Sequence, residues 1–519
     1  MSEALPHPPD ARPAGACYPF PSGRRLALFA LVVVLLYAAG VSTHWRFQRD
    51  STLYMGLARS LAESGAYSFN GEPQRLALPG FPAILSLVYM TVGESFLAMN
   101  VVMALFGLAC VALGWLVFRA QPLSRSQALA CLVLLAFSRT LFYYSSQVIT
   151  DVPFTFFVLL GLYCGARMLR GPSSRTRAWG LAAACATLAA CSVRPLGLAL
   201  LIALVAATWL HGGALRQWRA NLARTCLLAA PTAAAAALWA HRGAALGTAT
   251  GTSYFHWFLG APGPAGAALH VIARAPMVIG SLSDTVLGSD LGLPLSIALA
   301  LPIGVGFVDA VRRGERLFCA FGVAYVGAVC LANPGRRFLL PVLPALLVWL
   351  VLGAGAMATY LAERRRRLSP ASLARAGWVL IALLALTNMA HASKTIYEAH
   401  SADFYATIED GRLPDYFRLA QWLHDHARSD DCVLANESNF IHYFSRVRTR
   451  RIAMEAMEFG VRDQAQRMKL AGVTYLVVDP DQGAASERTG ELLRAYPDAF
   501  AKVQTFGKLD LYRVSLDTL

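Results

Sequence analysis

Arg49-Asp50-Ser51-Thr52-Leu53-Tyr54-Met55-Gly56-Leu57-Ala58-Arg59-Ser60-Leu61-Ala62-Glu63-Ser64-Gly65 follows a hydrophobic segment, Leu26 to Thr43, by a few residues. Its apolar spacing is that of a short amphipathic helix. Beyond it, Arg75 precedes Leu78-Pro79-Gly80-Phe81-Pro82. A carboxylate, Asp50, at the mouth of a membrane helix with an interfacial helix behind it points to chemistry at a bilayer surface. An Asp followed by Ser-Thr-Leu is equally a plausible helix N-cap, so the rest of the chain has to decide between the two.

Of 519 residues, 56% are hydrophobic and only 15% charged, which argues for a polytopic membrane protein over a soluble domain of this length. A span needs about 20 mainly apolar residues. Segments near that length are Leu26–Thr43, Ser95–Phe118, Ala128–Tyr144, Val152–Met168, Ala178–Val193, Pro195–Leu210, Thr225–Ala240, Leu291–Val308, Leu317–Ala332, Phe338–Ala358 and Ala376–Ala390. They give about eleven transmembrane helices, with Ala128–Tyr144 the weakest because Arg139 interrupts it. The first segment lacks a small-residue cleavage site and reads as a retained helix.

The net charge of +15 is distributed against nucleic-acid binding, because no basic face interleaved with aromatics occurs. With the N-terminus in the cytoplasm, the inner connections receive Arg119 and Arg125; Arg170, Arg175 and Arg177; Arg216, Arg219 and Arg224; Arg312, Arg313 and Arg316; and the run Arg364 to Arg367. That is the pattern that orients membrane helices. It requires Phe81 to Met90 to be interfacial or re-entrant, since counting it as a span would put every later cluster outside. Most of the ten cysteines fall in or beside hydrophobic segments and read as small buried apolar residues; neither a disulfide framework nor a zinc spacing is visible.

The expected organisation is a disordered cytoplasmic tail (1–23), a transmembrane module (24–392) and an extracytoplasmic α/β domain (393–519). The module has an outer loop at 44–94 carrying interfacial helices and a larger outer loop at about 241–290. In the last domain the patterns predict helices at Pro414–Arg428, Val461–Leu470 and Ser486–Tyr496. Strands are predicted at Cys432–Ala435 and Val473–Val478, with a hairpin of Lys502–Phe506 and Leu509–Val514.

The outer connections then hold few charges: Asp50, Arg59, Glu63, Glu72 and Arg75 in the first, Asp151 before Val152-Pro153-Phe154, Arg194 in Ser-Val-Arg-Pro, and Arg336-Arg337 before Phe338-Leu339-Leu340-Pro341. Each has a bland reading: Asp151 as an N-cap, Arg194 snorkelling to headgroups, Arg336 and Arg337 as interfacial anchors. Together they oppose the orientation rule and suit a phosphate-bearing lipid. Guanidinium groups bind phosphate oxygens bidentately, so Arg194, Arg336 and Arg337, with Arg75 as a weaker candidate, are expected to hold a donor phosphate. A carboxylate can take the proton of an attacking hydroxyl. Two carboxylates, Asp50 and Asp151, with a phosphate could also hold a divalent metal such as Mg or Mn.

Asp50 with its downstream Leu-Pro-Gly-Phe-Pro, Asp151 opening a span, Arg194-Pro195, and Arg337-Phe338-Leu339-Leu340-Pro341-Val342-Leu343-Pro344 together resemble the GT-C membrane glycosyltransferases. The likeness is to the bacterial branch related to protein O-mannosyltransferases and the lipid A aminoarabinose transferase, and it runs from about Arg24 to Ala392. It rests on the order and spacing of these motifs. The resemblance implies that Asp50 is the catalytic base and that Asp151 binds acceptor or metal. Members often have paired acids after the first span where this chain has Arg49-Asp50-Ser51, and Lys-Pro-Pro where it has Leu78-Pro79-Gly80-Phe81-Pro82. Many also carry a small outer domain, with Tyr443-Phe444-Ser445-Arg446 as a contact here.

The expected activity is transfer of a sugar from a polyprenyl-phosphate donor to an envelope acceptor (protein, lipid or glycan), by an inverting reaction on the outer face of the cytoplasmic membrane. The competing readings are a transporter or flippase of a lipid-linked intermediate and a ligase moving a whole glycan. Transporters favour internal repeats and midplane charges, and neither is evident here.

Overall fold

The computed structural model describes residues 23–170, 175–211, 217–246, 263–288, 292–332, 335–364, 369–407, 411–451, 460–481 and 484–518. The tail before Gly23, Arg216 and most of the run Arg364 to Arg367 lie outside these residues.

The chain begins with helix α1 (Gly23–Ala39), then α2 (Arg49–Ser64), a hairpin of β1 (Ser68–Phe69) and β2 (Glu72–Pro73), and α3 (Gly80–Val92). At 13 residues, α3 is too short to span, in keeping with its reading as an interfacial element. Gly80 has a packing reason. A Cβ there would lie 2.4 Å from the Ser192 hydroxyl and 2.7 Å from its backbone, so the start of α3 rests directly on the end of the Thr176–Val193 helix.

Seven described helices are long and apolar enough to cross a membrane, or eight if one bent pair is a single span. The bent pair is Arg125–Ala136 with Arg139–Ser145, turned by 43°. Ser138 causes the break: its side chain accepts from Leu141 N–H and caps a new helix at Arg139. The loop expected at about 241–290 contains a helix, Gly263–Gly280, continued by Leu282–Leu287. Residues 266–287 are long and apolar enough to cross a membrane. Two of the longest helices, Gly292–Arg312 and Leu343–Arg364, cross backbone to backbone. A Cβ on Gly306 would sit 1.8 Å from the Trp349 carbonyl oxygen, and one on Gly353 1.8 Å from that of Pro302. Small residues at such crossings let helices approach without a hydrophobic driving force.

Three of the arginine-rich connections meet at one end of the bundle. Arg170 pairs with Glu315 at 2.6 Å and donates to the Ala120 carbonyl, and Arg313 reaches the Pro122 carbonyl at 3.5 Å. The same helices present Asp151 and the 336–342 turn at the opposite end.

After the long Pro370–Ala399 helix, the C-terminal region forms a five-stranded sheet in the order β4-β3-β5-β7-β6. The strands are β3 (Cys432–Ala435), β4 (Arg448–Arg451), β5 (Tyr475–Val478), β6 (Phe500–Phe506) and β7 (Leu509–Val514). β3 pairs in parallel with β4 and β5, and the β6–β7 hairpin closes the other side antiparallel. The helices Leu413–His426, Val461–Leu470 and Ala484–Ala495 lie close to their sequence-predicted positions. β4 and the Ser438–Ser445 helix were not expected.

This domain is welded to the first loop. Trp45, fully buried, packs against Phe440 and Phe444 with ring centroids 5.9 and 5.8 Å away. The Arg59 guanidinium lies 4.6 Å from the Tyr443 ring centroid, the Tyr443 and Tyr89 hydroxyls meet at 2.6 Å, and Arg446 lies 3.7 Å from Glu94. At the hairpin tip, the Asn70 side chain accepts from Thr449 N–H at 2.8 Å and donates to the Thr449 carbonyl. Asn70 thereby occupies the backbone groups of the edge strand β4.

Candidate active site

Asp50 is the second residue of α2, not its cap. The N-cap is Gln48, in extended conformation and without a side-chain hydrogen bond. In the first turn a carboxylate is favoured by the helix dipole, and here it faces a cation: Arg337 Nη2 lies 3.3 Å from Asp50 Oδ2. Arg337 comes from a 3-10 turn, Arg336–Val342, that leads into the Leu343–Arg364 helix. The turn is fixed by the buried Tyr325 hydroxyl, which donates to the Phe338 carbonyl at 2.8 Å. The Arg336 side chain lies outside the described residues.

The pair opens onto a cavity of about 510 Å³ lined by both parts of the molecule. Phe47, Gln48, Arg49 and Asp50 come from the first loop, Arg337 from the bundle, and Arg412, Leu413, Tyr416, Glu437 and Phe440 from the C-terminal domain. Glu437 follows β3, and Asp479, which lies 3.7 Å from Arg412, follows β5. The crevice beyond the carboxyl ends of neighbouring parallel strands is where open α/β sheets place ligands. Tyr416 donates to Asp479 Oδ2 at 2.8 Å. Burial, with the Asp479 charge beside it, pushes the Tyr416 hydroxyl well above its ordinary range, so it stays a donor.

Asp151 and Arg194 lie elsewhere than expected. Neither lines this cavity; they pair with each other at 2.7 Å, with Asp151 fully buried. Pro195 forces Arg194 out of the preceding helix into extended backbone (φ −147°, ψ 140°), which turns its side chain toward Thr150 and Asp151. The Phe338 ring joins this pair to the first. The guanidinium carbon of Arg194 lies 5.2 Å from the ring centroid and that of Arg337 4.9 Å. Arg75 is also away from the cavity, donating to the Leu246 carbonyl at 2.6 Å.

Among the described residues no group of three or more His, Cys, Asp or Glu side chains could hold a metal ion. Asp151 Oδ2 accepts from Arg194, and Asp151 does not line the cavity at Asp50.

Sequence reasoning did not find Arg412, Tyr416 and Glu437 as part of the site. The available signal was the polar run Asn436-Glu437-Ser438-Asn439 directly after a buried strand.

Comparison with known proteins bears on the fold. Residues 73–241 match the family described as dolichyl-phosphate-mannose-protein mannosyltransferase. No curated protein matches the sequence. Among solved structures, ArnT from Cupriavidus metallidurans bound to undecaprenyl phosphate is similar with a TM-score of 0.60 at 14% identity, over 95% of this chain and 98% of that one. The oligosaccharyltransferase of Archaeoglobus fulgidus tethered to an acceptor peptide gives a TM-score of 0.58 at 13% identity, over 95% of this chain and 74% of that one. The same organism's AglB, in complex with an inhibitory peptide and a dolichol-phosphate, gives 0.53 at 12%, over 94% and 74%. This chain is a membrane protein with the fold of the GT-C glycosyltransferases.

Proposed function

We propose that the chain transfers a sugar from a polyprenyl-phosphate donor to an envelope acceptor, at the outer face of the cytoplasmic membrane. The observation that carries this reading is the meeting of Asp50 and Arg337 in a polar cavity between the helix bundle and the C-terminal domain. The undecaprenyl phosphate and dolichol-phosphate bound by the similar structures support a lipid-phosphate donor. The clustering of arginine-rich connections at the far end of the bundle supports an outward-facing site.

At 3.3 Å, with both side chains partly open to solvent, the ion pair is a weak one, on the order of 1 kcal/mol or less. A donor phosphate competes for Arg337, offering two oxygens to a planar fork. Its arrival releases Asp50 to accept the proton of the acceptor hydroxyl or amine. The acceptor atom then bonds to the anomeric carbon while the bond from that carbon to phosphate oxygen breaks. Polyprenyl phosphate leaves with the electron pair, its charge stabilised by Arg337, and a single displacement inverts the anomeric centre. Asp151 and Arg194 act from below, holding Phe338 and with it the turn that carries Arg337.

The test is turnover of a radiolabelled polyprenyl-phosphate sugar by the purified chain in lipid vesicles. Label transferred to an envelope extract supports the reading. Label that only crosses the bilayer, with the donor intact, identifies a flippase and overturns it.

A further inference from the structure

The geometry points to Glu437 as a positioning residue that, through Arg49, sets the turn carrying Asp50, so that the C-terminal domain is a working part of the site. This rests on the role proposed for Asp50. In the sequence Arg49 stands directly beside Asp50. The structure brings a carboxylate to the same cavity from 388 positions away: Arg49 Nε and Nη2 lie 2.9 and 2.8 Å from Glu437 Oε1.

Three features make Glu437 more than a rim contact. Its side chain is only 10% exposed, whereas that of Arg49 is 53% exposed, so the carboxylate is the fixed partner and the guanidinium the one being held. The rigid end is anchored by position, because Glu437 lies just beyond β3 in the parallel part of the sheet and opens the Ser438–Ser445 helix, whose Phe440 packs on Trp45. The other end has no side-chain anchor of its own, because α2 has no side-chain cap at Gln48, which leaves the N–H groups of its first turn without side-chain partners. Arg49 and Asp50 are the first two residues of that turn. Glu437, Arg49, Asp50 and Arg337 therefore alternate in charge around the cavity, with the helix start clamped from both sides.

Neutralising Glu437 loosens the turn and frees Arg49 to compete for Asp50. Both effects lower the fraction of molecules with Asp50 aligned, and any loosening of the Asp50–Arg337 pair eases donor binding at Arg337 rather than opposing it. The expected result for Glu437→Gln is about a tenfold loss of kcat with donor KM unchanged or lowered. Arg49→Gln should lose kcat similarly, and the double variant should be no worse than the more impaired single one, because the two act as one unit. Hydrogen exchange of the full-length chain in lipid nanodiscs gives a readout independent of turnover. Amides of Ser51 to Leu53 should exchange several-fold faster in Glu437→Gln, with protection of β3 and β5 unchanged.

Unchanged exchange in that turn, or losses in the two single variants that multiply, overturns the inference. Loss of protection in β3 and β5 as well would show Glu437 to be a folding residue and overturn it too. Absence of donor turnover by the wild-type chain refutes the transferase reading instead, while the exchange result still decides whether Glu437 sets the turn.

Discussion

Arg337 and Asp50, 287 positions apart in the chain, meet at 3.3 Å and neutralise one another where the helix bundle faces the C-terminal domain. A base that rests in an ion pair is available only when something else occupies its partner. Under the proposed transferase reading, this couples proton acceptance by Asp50 to donor binding at Arg337.

Replacing Asp50 with Asn keeps the shape of the first turn and removes the proton acceptor. Turnover of the labelled donor should fall by roughly 100-fold or more, with thermal stability in detergent nearly unchanged. A folded Asn variant with wild-type turnover would remove Asp50 from the mechanism.

Arg337→Lys keeps a positive charge and loses the planar fork, together with its stacking on Phe338. Donor affinity should weaken roughly tenfold while acceptor KM stays put. Titration of undecaprenyl phosphate against the purified variant measures this directly, and wild-type affinity would make Arg337 an interfacial anchor only.

The Asp151–Arg194 pair is a different case because Asp151 is fully buried. Removing one partner leaves a buried charge uncompensated, at a cost of about 3–5 kcal/mol. Asp151→Asn should therefore lower the melting temperature as well as activity, and Asp151→Asn combined with Arg194→Gln should be less destabilised than the sum of the singles. An Asp151→Asn variant of unchanged melting temperature and lost activity would instead return Asp151 to direct contact with substrate.

His442 predicts a pH dependence. Its Nδ1 lies 2.8 Å from the Val447 carbonyl and its Nε2 accepts from Asn70 N–H at 3.1 Å, an arrangement that needs the neutral ring. Burial, helped by Arg59 and Arg446 and opposed by the Val447 bond, holds its pKa below the ordinary 6.5. The unfolded chain then binds a proton that the folded one refuses. The associated stability is complete above 6.5 and is lost as pH falls from there through the folded value. Melting temperature should drop on acidification from pH 7 to 5, and His442→Phe should show less of that slope.

Much of the fold was legible because it rests on local pattern. Apolar length marked most of the bundle, and Cys432–Ala435 and Val461–Leu470 were readable to the residue from periodicity alone. β4 was not: Arg448-Thr449-Arg450-Arg451 is an edge strand in which only Thr449 is buried, so no alternation appears. The helix Gly263–Gly280 was hidden by its glycines and by Pro276 within it. In the site, Asp50 and Arg337 stood out because charge beside apolar helix ends is costly without a purpose. The Asp151–Arg194 and Arg49–Glu437 pairings depend on how distant segments meet, and no local spacing encodes that.

Asn70 carries a consequence for the C-terminal domain taken alone. Its amide fills the hydrogen-bonding positions of Thr449 on β4, one of the two margins of the sheet, while the other margin, β6, bears Lys502, the kind of charge that discourages strand addition. The hairpin thus stands in for a neighbouring strand that the domain does not encode. Excised from the chain, the domain would uncover the Thr449 backbone groups on a strand of four residues that carries Arg448, Arg450 and Arg451, so charge alone would keep a second copy away, and a fragment without the hairpin should self-associate edge to edge only at high salt, where that repulsion is screened.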